Sequence, residues 1–340
     1  MPESMKAVVF DRFGEPGEVL RVEELPIPVP KRGEVRVRMI ASPINPSDLL
    51  MIRGRYVMKP PLPATPGFEG VGIVDRAGPG LLGLMVKGRR VAVLNHQGGN
   101  WAEYAVIPAR QARPISDRIP DDQAASLFVN PMTALALARH VLAVPKGEWL
   151  LQSAAGSNLG RMLIRLGKHD GFRTICVVRR KEAVGPLQAE GADVVICSAD
   201  GPIDEQVRRI VAGGVKYAID PVGGETGSQV FRSLGSGGRM VVFGSLTGEP
   251  LKIDNRTLIG DRQKLEGFWL GHWMRERSIP KALRLFREVG ELIRLGVLRT
   301  DTGPSHPLTE ITRAVADAEA PGSAGKALLA INPDWHQPKA

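Results

Sequence analysis

A glycine-containing turn between an apolar strand and a helix offers the first chemistry that the sequence suggests. The strand WLLQS runs into residues 154–160, Ala-Ala-Gly-Ser-Asn-Leu-Gly, and a helix with one apolar face follows at once. Small residues at such a turn let a pyrophosphate approach the backbone and rest on the N–H groups of the helix N-terminus. The usual G-x-G-x-x-G spacing is altered, so the prediction depends on strand, turn, helix and second strand following in order within about 30 residues. The predicted nucleotide site contains Gly156, Ser157, Asn158, Leu159 and Gly160. The alternative is a tight turn that binds no nucleotide.

The residues after the second strand indicate which nucleotide would bind. An NAD site usually has an acidic residue about 20 residues past the glycines, where it bonds the ribose 2′-hydroxyl. Here the strand RTICVV ends in Arg179, Arg180 and Lys181 instead. Arginine suits a 2′-phosphate because it forms charge-assisted, often bidentate hydrogen bonds. We therefore predict NADPH over NADH; the alternative is a pair of surface arginines at a strand end.

Cysteine usage argues against a disulfide framework and against a four-cysteine zinc site. The chain has two cysteines, Cys176 and Cys197, which are too few for either. Its six histidines show no spacing typical of metal ligands. A reducing, cytoplasmic setting is the expectation that follows.

Length and composition indicate what kind of protein positions these residues. At roughly 150 residues per domain, 340 residues suggest two domains. The content of 43% hydrophobic and 24% charged residues is typical of globular proteins. No apolar run reaches the roughly 18 residues of a membrane-spanning helix, and the first residues have the pattern of neither a signal peptide nor a transit peptide. We expect no membrane partner.

The net charge of +9 would attract an anionic partner. The basic residues are scattered, however, and no basic stripe with interleaved aromatic residues is present. Nucleic-acid binding is therefore not expected, and most of the excess is interpreted as solvated surface charge.

The apolar pattern changes near residue 121. Before it, short apolar or alternating segments bounded by turn residues predict the strands of a small β-barrel-like domain. These segments are 5–10, 34–41, 70–78, 88–95 and 102–108. Residues 121–140 then predict a helix with Asp122 as its N-cap and with Pro131 as the point where it kinks or splits.

From residue 149 onward, buried strands alternate with helices, which indicates a parallel sheet with crossover helices. A long amphipathic helix is predicted over 276–297, ending at Gly296, and GKALLAI (325–331) predicts a last strand.

With both parts in view, the chain resembles the medium-chain dehydrogenase/reductase superfamily over nearly its whole length. The zinc alcohol dehydrogenases of that superfamily carry metal ligands where this chain has Ile-Asn-Pro-Ser-Asp (44–48) and Pro-Gly-Phe-Glu-Gly (66–70). Asn45 stands near the position of their cysteine, and Phe68 replaces their histidine. Because zinc needs thiolate, imidazole or carboxylate ligands, we predict no zinc.

Within the superfamily, several strings are similar to the mitochondrial-type 2-enoyl thioester reductases. They are Arg53-Gly54-Arg55-Tyr56, Asn130-Pro131-Met132-Thr133, the turn at 154–160, and Gly267-Phe268-Trp269-Leu270 followed by Trp273. The last string is the most specific. The chain departs from the family in carrying Gly156 and Asn158 where Asn and Gly are usual, and in having no mitochondrial presequence, which suggests a bacterial relative.

The resemblance implies an α/β protein with two domains. Residues 1–121 and 275–340 would form a GroES-like β-barrel substrate domain. Residues 122–274 would form a Rossmann domain, with a doubly wound parallel sheet that binds NADPH, and the ligand would lie in the cleft between the domains. The family also implies a homodimer.

The implied reaction is reduction of a trans-2-enoyl thioester. Hydride from NADPH adds to the β carbon, an enolate develops at the thioester oxygen, and a proton reaches the α carbon. Tyr56 matches the family's catalytic tyrosine. A phenol, with a pKa of about 10, is protonated at neutral pH and can donate to the enolate or supply the proton. The alternative for Tyr56 is a loop tyrosine packed on neighbouring prolines.

The family pattern extends to further positions that would bind the cofactor. Asn130 would bond the nicotinamide ribose or carboxamide, and Lys326 would lie near the phosphates. Trp269 would border the substrate together with Tyr56. Beyond the turn and the basic residues, the cofactor candidates are Asn45, Asn130, Thr133, Phe243, Gly244, Ser245, Leu246, Phe268, Trp269, Leu270, Gly271 and Lys326. The alternatives are core aromatics for Phe268 and Trp269 and an ordinary surface lysine for Lys326.

Two other functions stay open beside the thioester reductase. A zinc-free NADPH:quinone oxidoreductase shares the fold, the cofactor and often a tyrosine in the same loop. A non-catalytic NADPH-binding protein would bind the cofactor without turning over any activated alkene. Coenzyme A and acyl carrier protein stay open as the carrier of the acyl group, because the basic balance suits either anion.

Overall fold

The computed structural model describes residues 4–320, 322 and 325–332 of the chain. It divides into two compact units: unit 1 comprises Met1–Val129 and Thr300–Ala340, and unit 2 comprises Asn130–Arg299. Among the described helices, none has the length and apolar content needed to cross a bilayer.

Unit 1 is built mainly from antiparallel strands, with short helices between them. Its strands are β1 (Ser4–Val9), β2 (Arg21–Pro26), β3 (Glu34–Pro43), β4 (Glu69–Ala77), β5 (Arg90–Leu94), β6 (Tyr104–Pro108), β7 (Ala112–Pro114), β14 (Thr302–His306) and β15 (Lys326–Ala330). Its helices are α1 (Pro16–Val19), α2 (Pro46–Ile52), α3 (Leu81–Val86), α4 (Asp121–Ala125) and α13 (Ile311–Glu319).

Strand β3 is the centre of the main sheet of unit 1. The strand order is β14-β15-β3-β4-β5-β7, with β6 also paired to β3. Residues of β3 alternate between buried and half-buried as far as Met39, which gives the strand one face on the core. From Met39 to Pro43 every residue is buried, so the strand enters the interior just before Asn45.

Unit 2 is a parallel sheet covered by helices. Its strands are β8 (Trp149–Gln152), β9 (Arg173–Val178), β10 (Val194–Cys197), β11 (Val215–Asp220), β12 (Leu234–Val242) and β13 (Lys264–Gly267). Its helices are α6 (Asn158–Asp170), α7 (Val184–Glu190), α8 (Ile203–Ile210), α9 (Gly224–Arg232), α10 (Asn255–Gly260), α11 (Leu270–Arg275) and α12 (Ile279–Arg294), and α5 (Val129–Leu135) crosses the boundary between the units.

The order of the parallel strands is β10-β9-β8-β11-β12-β13. Since β8 is the first strand of this sheet along the chain, the order reads 3-2-1-4-5-6, which is that of the doubly wound Rossmann fold. The predicted parallel sheet is confirmed. The core of this sheet contains apolar residues with no exposed surface, among them Leu151, Ile175 and Ala218.

The limits of the units lie later in the chain than the predicted boundaries at 121/122 and 274/275. Residues 275–299 belong to unit 2 because α12 packs there. Glu288 of α12 accepts a 2.5 Å hydrogen bond from Arg139, and Arg165 donates to the carbonyl of Val297 at 3.0 Å. At the other limit, Gln123 exchanges hydrogen bonds with Thr300, which keeps α4 in unit 1.

The single helix predicted over 121–140 is wrong in two details. The helix begins after Pro120, so Asp122 is not its N-cap. It is also interrupted at residues 126–128 and not at Pro131, which lies in the first turn of α5, where proline is tolerated. The cause is Glu69, whose carboxylate accepts hydrogen bonds from the amides of Phe128 and Val129 and so takes them out of a continuous helix.

Several elements form without an apolar pattern that would predict them. The edge strand β13 has the sequence Lys-Leu-Glu-Gly and pairs with β12 alone in its sheet. The edge strand β14 has the sequence Thr-Gly-Pro-Ser-His and pairs with β15. Short edge strands depend on a neighbouring strand for their hydrogen bonds, so their own sequences carry little information about them. The long helix α12 is better predicted: it ends at Arg294, and Gly296 follows with a φ of 76°.

Burial in the central strand of unit 2 leads to a stability prediction. Leu151 of β8 is 0% exposed, whereas Leu265 of the edge strand β13 is 38% exposed. Leu151→Ala is expected to cost about 2–5 kcal/mol of the free energy of unfolding, because it removes buried methyl groups and leaves a cavity. Leu265→Ala, the matched control, is expected to cost about 0.5 kcal/mol or less. Urea unfolding followed by circular dichroism measures both; equal shifts of the midpoint would contradict the assigned strand order.

Candidate functional site

Four groups of predicted cofactor residues in unit 2 lie at one edge of its sheet. Residues 154–160 follow β8, residues 179–181 follow β9, residues 243–246 follow β12 and residues 268–271 follow β13. The pairs formed by these strands are parallel, so their carboxyl ends meet at the same edge. Ligands of doubly wound sheets bind outside this edge. The fold thus brings together four segments that are distant in the sequence.

The turn after β8 leads directly into the N-terminus of α6. Gly156 and Ser157 are exposed, and the Ser157 hydroxyl caps α6 by accepting from the amide of Gly160 at 3.1 Å. A Cβ on Gly160 would stand 2.4 Å from the carbonyl oxygen of Ala155, so only glycine lets the helix begin this close to the strand. An exposed N-terminus of a 13-residue helix, bordered by small side chains, fits the pyrophosphate of a dinucleotide.

The carboxyl ends of β8 and β11 are tied together by Asp220, a residue that the sequence analysis does not single out. Its carboxylate accepts hydrogen bonds from the Ser153 hydroxyl and, at 2.7 Å, from the amide of Gly223. Burial raises the pKa of Asp220 above its usual range. The strand order reverses between β8 and β11, which is where such sheets form their ligand crevice. The signal in the sequence that could have identified Asp220 is the presence of an acidic residue at the end of the buried strand KYAID.

The three basic residues after β9 differ in their surroundings. Lys181 lies 2.6 Å from Asp200 in an exposed ion pair. Arg179 and Arg180 are exposed at the end of the strand. Their guanidinium groups are therefore the better candidates to meet a 2′-phosphate, which fits NADPH.

The segments after β12 and β13 are held to the sheet edge by backbone hydrogen bonds. Leu246 donates to the carbonyl of Pro221 at 3.0 Å, and Phe268 donates to the carbonyl of Val242 at 2.8 Å. Trp269 is half-buried, with the guanidinium of Arg275 at 5.1 Å from its ring centre. The neighbouring Trp273 is buried and contacts Phe268, whereas Phe268 and Trp269, for which a core role was the alternative, are only half-buried. On α5, Asn130 is half-buried and Thr133 is buried.

In unit 1, Asn45 is the centre of a buried polar cluster. Its Nδ2 donates to Oε1 of Glu69 at 2.9 Å, and its Oδ1 accepts from Nζ of Lys326 at 2.9 Å. Lys326 also donates to the carbonyl of Ile44 at 3.5 Å. Only 1% of Asn45, 2% of Glu69 and 8% of Lys326 is exposed. Lys326 is therefore not the surface lysine of the alternative interpretation; a contact with cofactor phosphates stays a prediction.

Asp48 completes this cluster. Its carboxylate accepts from the amide of Asn45 at 2.8 Å and from the amide of Phe68 at 3.0 Å. Burial raises the pKa of Asp48 to about 7 and raises that of Glu69, while burial lowers the pKa of Lys326. Each shift has the sign expected for charged groups taken out of water, and each group is held by partners that limit the cost.

The cluster occupies the segments where zinc alcohol dehydrogenases carry their ligands. The positions near their cysteine and histidine hold the amide Asn45 and the phenyl ring of Phe68, and the cation beside them is the ammonium of Lys326. Across the described ranges 4–320, 322 and 325–332, no group of three or more His, Cys, Asp or Glu residues is placed to hold a metal ion. The absence of zinc stays a prediction that rests on these side chains.

Tyr56 lies against this part of unit 1. The ring of Tyr56 is half-buried, with its centre 5.3 Å from that of Phe68. Its loop is anchored by Arg53, which pairs with Glu15 at 2.8 Å and with Glu319 at 2.8 Å. A small depression beside the loop is lined by Met51, Met58, Lys59, Pro60, Pro61 and Gln97. The structure thus brings Asn45, Tyr56 and Lys326 into one region; Glu69, Asp48 and Arg53 were not predicted as site residues.

Comparisons with known proteins agree with this division. The protein-family model described as "Alcohol dehydrogenase GroES-like domain" matches residues 31–117 of the sequence. The family model described as "Zinc-binding dehydrogenase" matches residues 159–288. A protein of Xenopus tropicalis named "Enoyl-[acyl-carrier-protein] reductase, mitochondrial" is 32% identical, over 95% of this chain and 95% of its own length.

Solved structures of other proteins have the same fold over nearly the whole chain. A structure from Bacillus thuringiensis titled as a putative NADPH:quinone reductase has a TM-score of 0.90 and 34% identity, covering 96% of this chain and 99% of that one. A mycobacterial protein solved in complex with NADPH has a TM-score of 0.87 and 28% identity, covering 96% of this chain and 100% of that one. The predicted pairing of a GroES-like domain with a Rossmann domain is confirmed by the matched models and by these folds.

The buried cluster leads to a prediction about Lys326. Lys326→Met is expected to cost about 3–5 kcal/mol of the free energy of unfolding, because it removes the buried ammonium that donates to Asn45 and that offsets the nearby buried charges of Glu69 and Asp48. In the double variant with Glu69→Gln, part of this cost is expected to return, with a coupling of about 0.5–3 kcal/mol. Urea unfolding at neutral pH measures both. The control is Lys281→Met at an exposed position; a cost at Lys326 no larger than at Lys281 would contradict the assigned role of Lys326 in the buried cluster.

Proposed function

Since the chain belongs to the medium-chain dehydrogenase/reductase superfamily, we propose that this oxidoreductase uses NADPH to reduce the C=C bond of a trans-2-enoyl thioester. The observation that carries this proposal is the phenol of Tyr56, held on Phe68 in the region where zinc enzymes of the superfamily hold their metal. With an amide and a phenyl ring at the ligand positions, the negative charge that develops on the substrate oxygen has to be met by a side-chain donor.

The chain's own residues have distinct tasks in this reaction. The turn at 156–160 holds the pyrophosphate, and Arg179 and Arg180 hold the 2′-phosphate. The bound cofactor supplies the hydride that adds to the β carbon. The hydroxyl of Tyr56 donates to the developing enolate oxygen or gives its proton to the α carbon, and water restores the proton. Arg53 keeps the loop of Tyr56 in place through Glu15 and Glu319.

The acyl group and its carrier are proposed from the chemistry around Tyr56. The half-buried Met58, in the depression beside the loop of Tyr56, suits the methylene groups of an acyl chain, because methionine adapts to irregular apolar surfaces. Coenzyme A and acyl carrier protein are both anionic, and the net charge of +9 favours either. A role in fatty acid metabolism follows from this substrate class.

We further propose a homodimer that forms through unit 2. The edge strand β13 has one neighbour in its sheet, and an unpaired strand edge is a template for pairing with a second copy. Ile259 on α10, the helix that precedes β13, is 75% exposed. A reducing, cytoplasmic setting is proposed as well, because Cys176 and Cys197 are both free and buried.

The second candidate function is NADPH:quinone reduction. It is favoured by the likeness to the Bacillus thuringiensis structure, whose title names that activity. A quinone is also an activated alkene that accepts hydride, so the same cofactor site would serve. The role of Tyr56 separates the two functions.

Tyr56→Phe tests the proposed reaction. The variant keeps the ring on Phe68 and removes the hydroxyl, so kcat with a trans-2-enoyl-CoA is expected to fall about 100-fold or more. NADPH oxidation is followed by absorbance, with 1,4-benzoquinone as a parallel substrate. Tyr104→Phe is the matched control, since Tyr104 is also half-buried and packs beside Arg36.

Each outcome of this assay assigns a function. Turnover of enoyl-CoA that collapses in the Tyr56 variant alone supports the thioester reductase. Turnover on quinone alone, unchanged in the variant, moves the protein to the second candidate. NADPH binding without turnover of either substrate would indicate a binding protein.

Arg179→Ala combined with Arg180→Ala tests the choice of cofactor. Loss of hydrogen bonds from charged groups, worth about 1.5–3 kcal/mol, is expected to raise the KM for NADPH at least about tenfold and to leave the KM for NADH nearly unchanged. The control is Arg284→Ala, which removes an exposed arginine of α12. Equal Michaelis constants for NADH and NADPH in the wild-type enzyme would refute the assignment.

A further inference from the structure

Helix α3 turns its large apolar side chains towards solvent. Leu81, Leu82, Leu84 and Met85 are 74%, 59%, 62% and 68% exposed. The buried residue of the helix is Gly83, where a Cβ would meet Ala77 at 3.2 Å and Val35 at 3.3 Å. The fold therefore uses the smallest residue of α3 for packing and leaves the four largest outside, which is the reverse of an ordinary surface helix.

These four side chains form one convex ridge. At 100° per residue, positions 81, 82, 84 and 85 spread over an arc of about 160° on the outer side of α3. A contiguous exposed apolar surface of this kind marks an interaction site. A ridge suits a soft surface into which it can insert, whereas a rigid partner would need a matching groove.

Exposed basic residues surround the ridge. Lys31 and Arg32 lie in the turn against which Gly78 and Pro79 pack, just before α3. Lys87 caps the end of the helix, and Arg89 follows it. Arg110 lies in the 3-10 turn Ala109–Gln111, which contacts α3.

The acidic residues nearby leave this positive charge largely in place. Asp75 is paired with Arg36 at 2.6 Å. Glu34, whose carboxylate accepts from the backbone amide of Lys31, keeps its one negative charge beside the five basic side chains. Within the ranges that the structure describes, no side-chain ion pair is seen for Lys31, Arg32, Lys87, Arg89 or Arg110. The ridge is thus an apolar centre in a positive rim.

The ridge lies at the far end of unit 1 from Tyr56. Strand β4 begins at Glu69, next to Phe68, and ends at Ala77, four residues before α3. At about 3.3 Å per residue, the strand separates the two ends by about 25 Å. A carrier protein that brings an acyl group to Tyr56 would have to dock near that residue, so the ridge does not fit this partner.

We propose that α3 is a peripheral docking surface for an anionic lipid bilayer. Its four apolar side chains insert at the level of the headgroups, and the basic rim binds the negatively charged lipids. A second copy docked through this face would bring two positive rims together. The lack of a spanning segment, from which no membrane partner is expected, does not bear on peripheral contact, because peripheral contact depends on which side of a short helix faces outward.

Sedimentation of the full-length protein with vesicles tests this docking. We expect the protein to partition onto vesicles of equal parts phosphatidylcholine and phosphatidylglycerol, not onto phosphatidylcholine alone, and to be released by salt. Leu84→Glu and Met85→Glu are each expected to weaken partitioning at least about tenfold, and Lys87→Glu with Arg89→Glu by a similar factor. The matched control is Ile279→Glu, since Ile279 is 71% exposed in unit 2.

The readouts separate docking from folding and from catalysis. Circular dichroism and turnover without vesicles are expected to stay unchanged in the α3 variants, because α3 is distant from Tyr56. No binding of the wild type to anionic vesicles at low salt would overturn the proposal, as would an equal loss in the Ile279 control. A change in oligomeric state caused by Leu84→Glu, without vesicle binding, would make the ridge a protein interface instead.

Discussion

The ammonium of Lys326, buried beside Asn45 and the carboxylates of Glu69 and Asp48, is the constraint on which unit 1 depends. Three ionisable groups are taken out of water there, and each would be costly without the others. Lys326 begins the C-terminal strand β15, Asn45 precedes α2, and Glu69 begins β4. The cluster therefore fixes three elements that are distant in the sequence, and the second oxygen of Glu69 also fixes the chain at Phe128 and Val129, where α5 begins.

The same cluster lies in the segments where the zinc enzymes of the superfamily carry their ligands. A metal ion would supply positive charge at the segments 44–48 and 66–70. In this chain the ammonium of Lys326 brings positive charge to these segments, and Asn45 joins it to Glu69 through two hydrogen bonds. What a lysine buried in this way does not supply is an open coordination position, which is why the electrophilic role passes to a hydroxyl donor such as Tyr56 in the proposed reaction.

In unit 2, the topology of the sheet brings the candidate cofactor residues together. No charge cluster is needed, because parallel strands deliver the turns after β8, β9, β12 and β13 to one edge. The local sequence of these turns was informative. Gly160 is required because a Cβ at this position would lie 2.4 Å from the carbonyl oxygen of Ala155, and Arg179 and Arg180 lie at a strand end. Asp220 was not predicted, because its partners, Ser153 and Gly223, include a residue from another strand.

The sequence by itself determined the features that depend on neighbouring residues. They are the alternating strands and helices of unit 2, the small-residue turn at 154–160, the end of α12 just before Gly296, and the presence of Asn45 and Phe68 where zinc enzymes of the superfamily carry ligands. Only the tertiary structure decided the break at residues 126–128, the limits of the units and the burial of Lys326, because each depends on a partner far away in the chain, above all Glu69. The outward face of α3 belongs to the same group. The composition of α3, rich in leucine, is typical of a core helix. Only the packing of Gly83 against Val35 and Ala77 shows that its large side chains face outward.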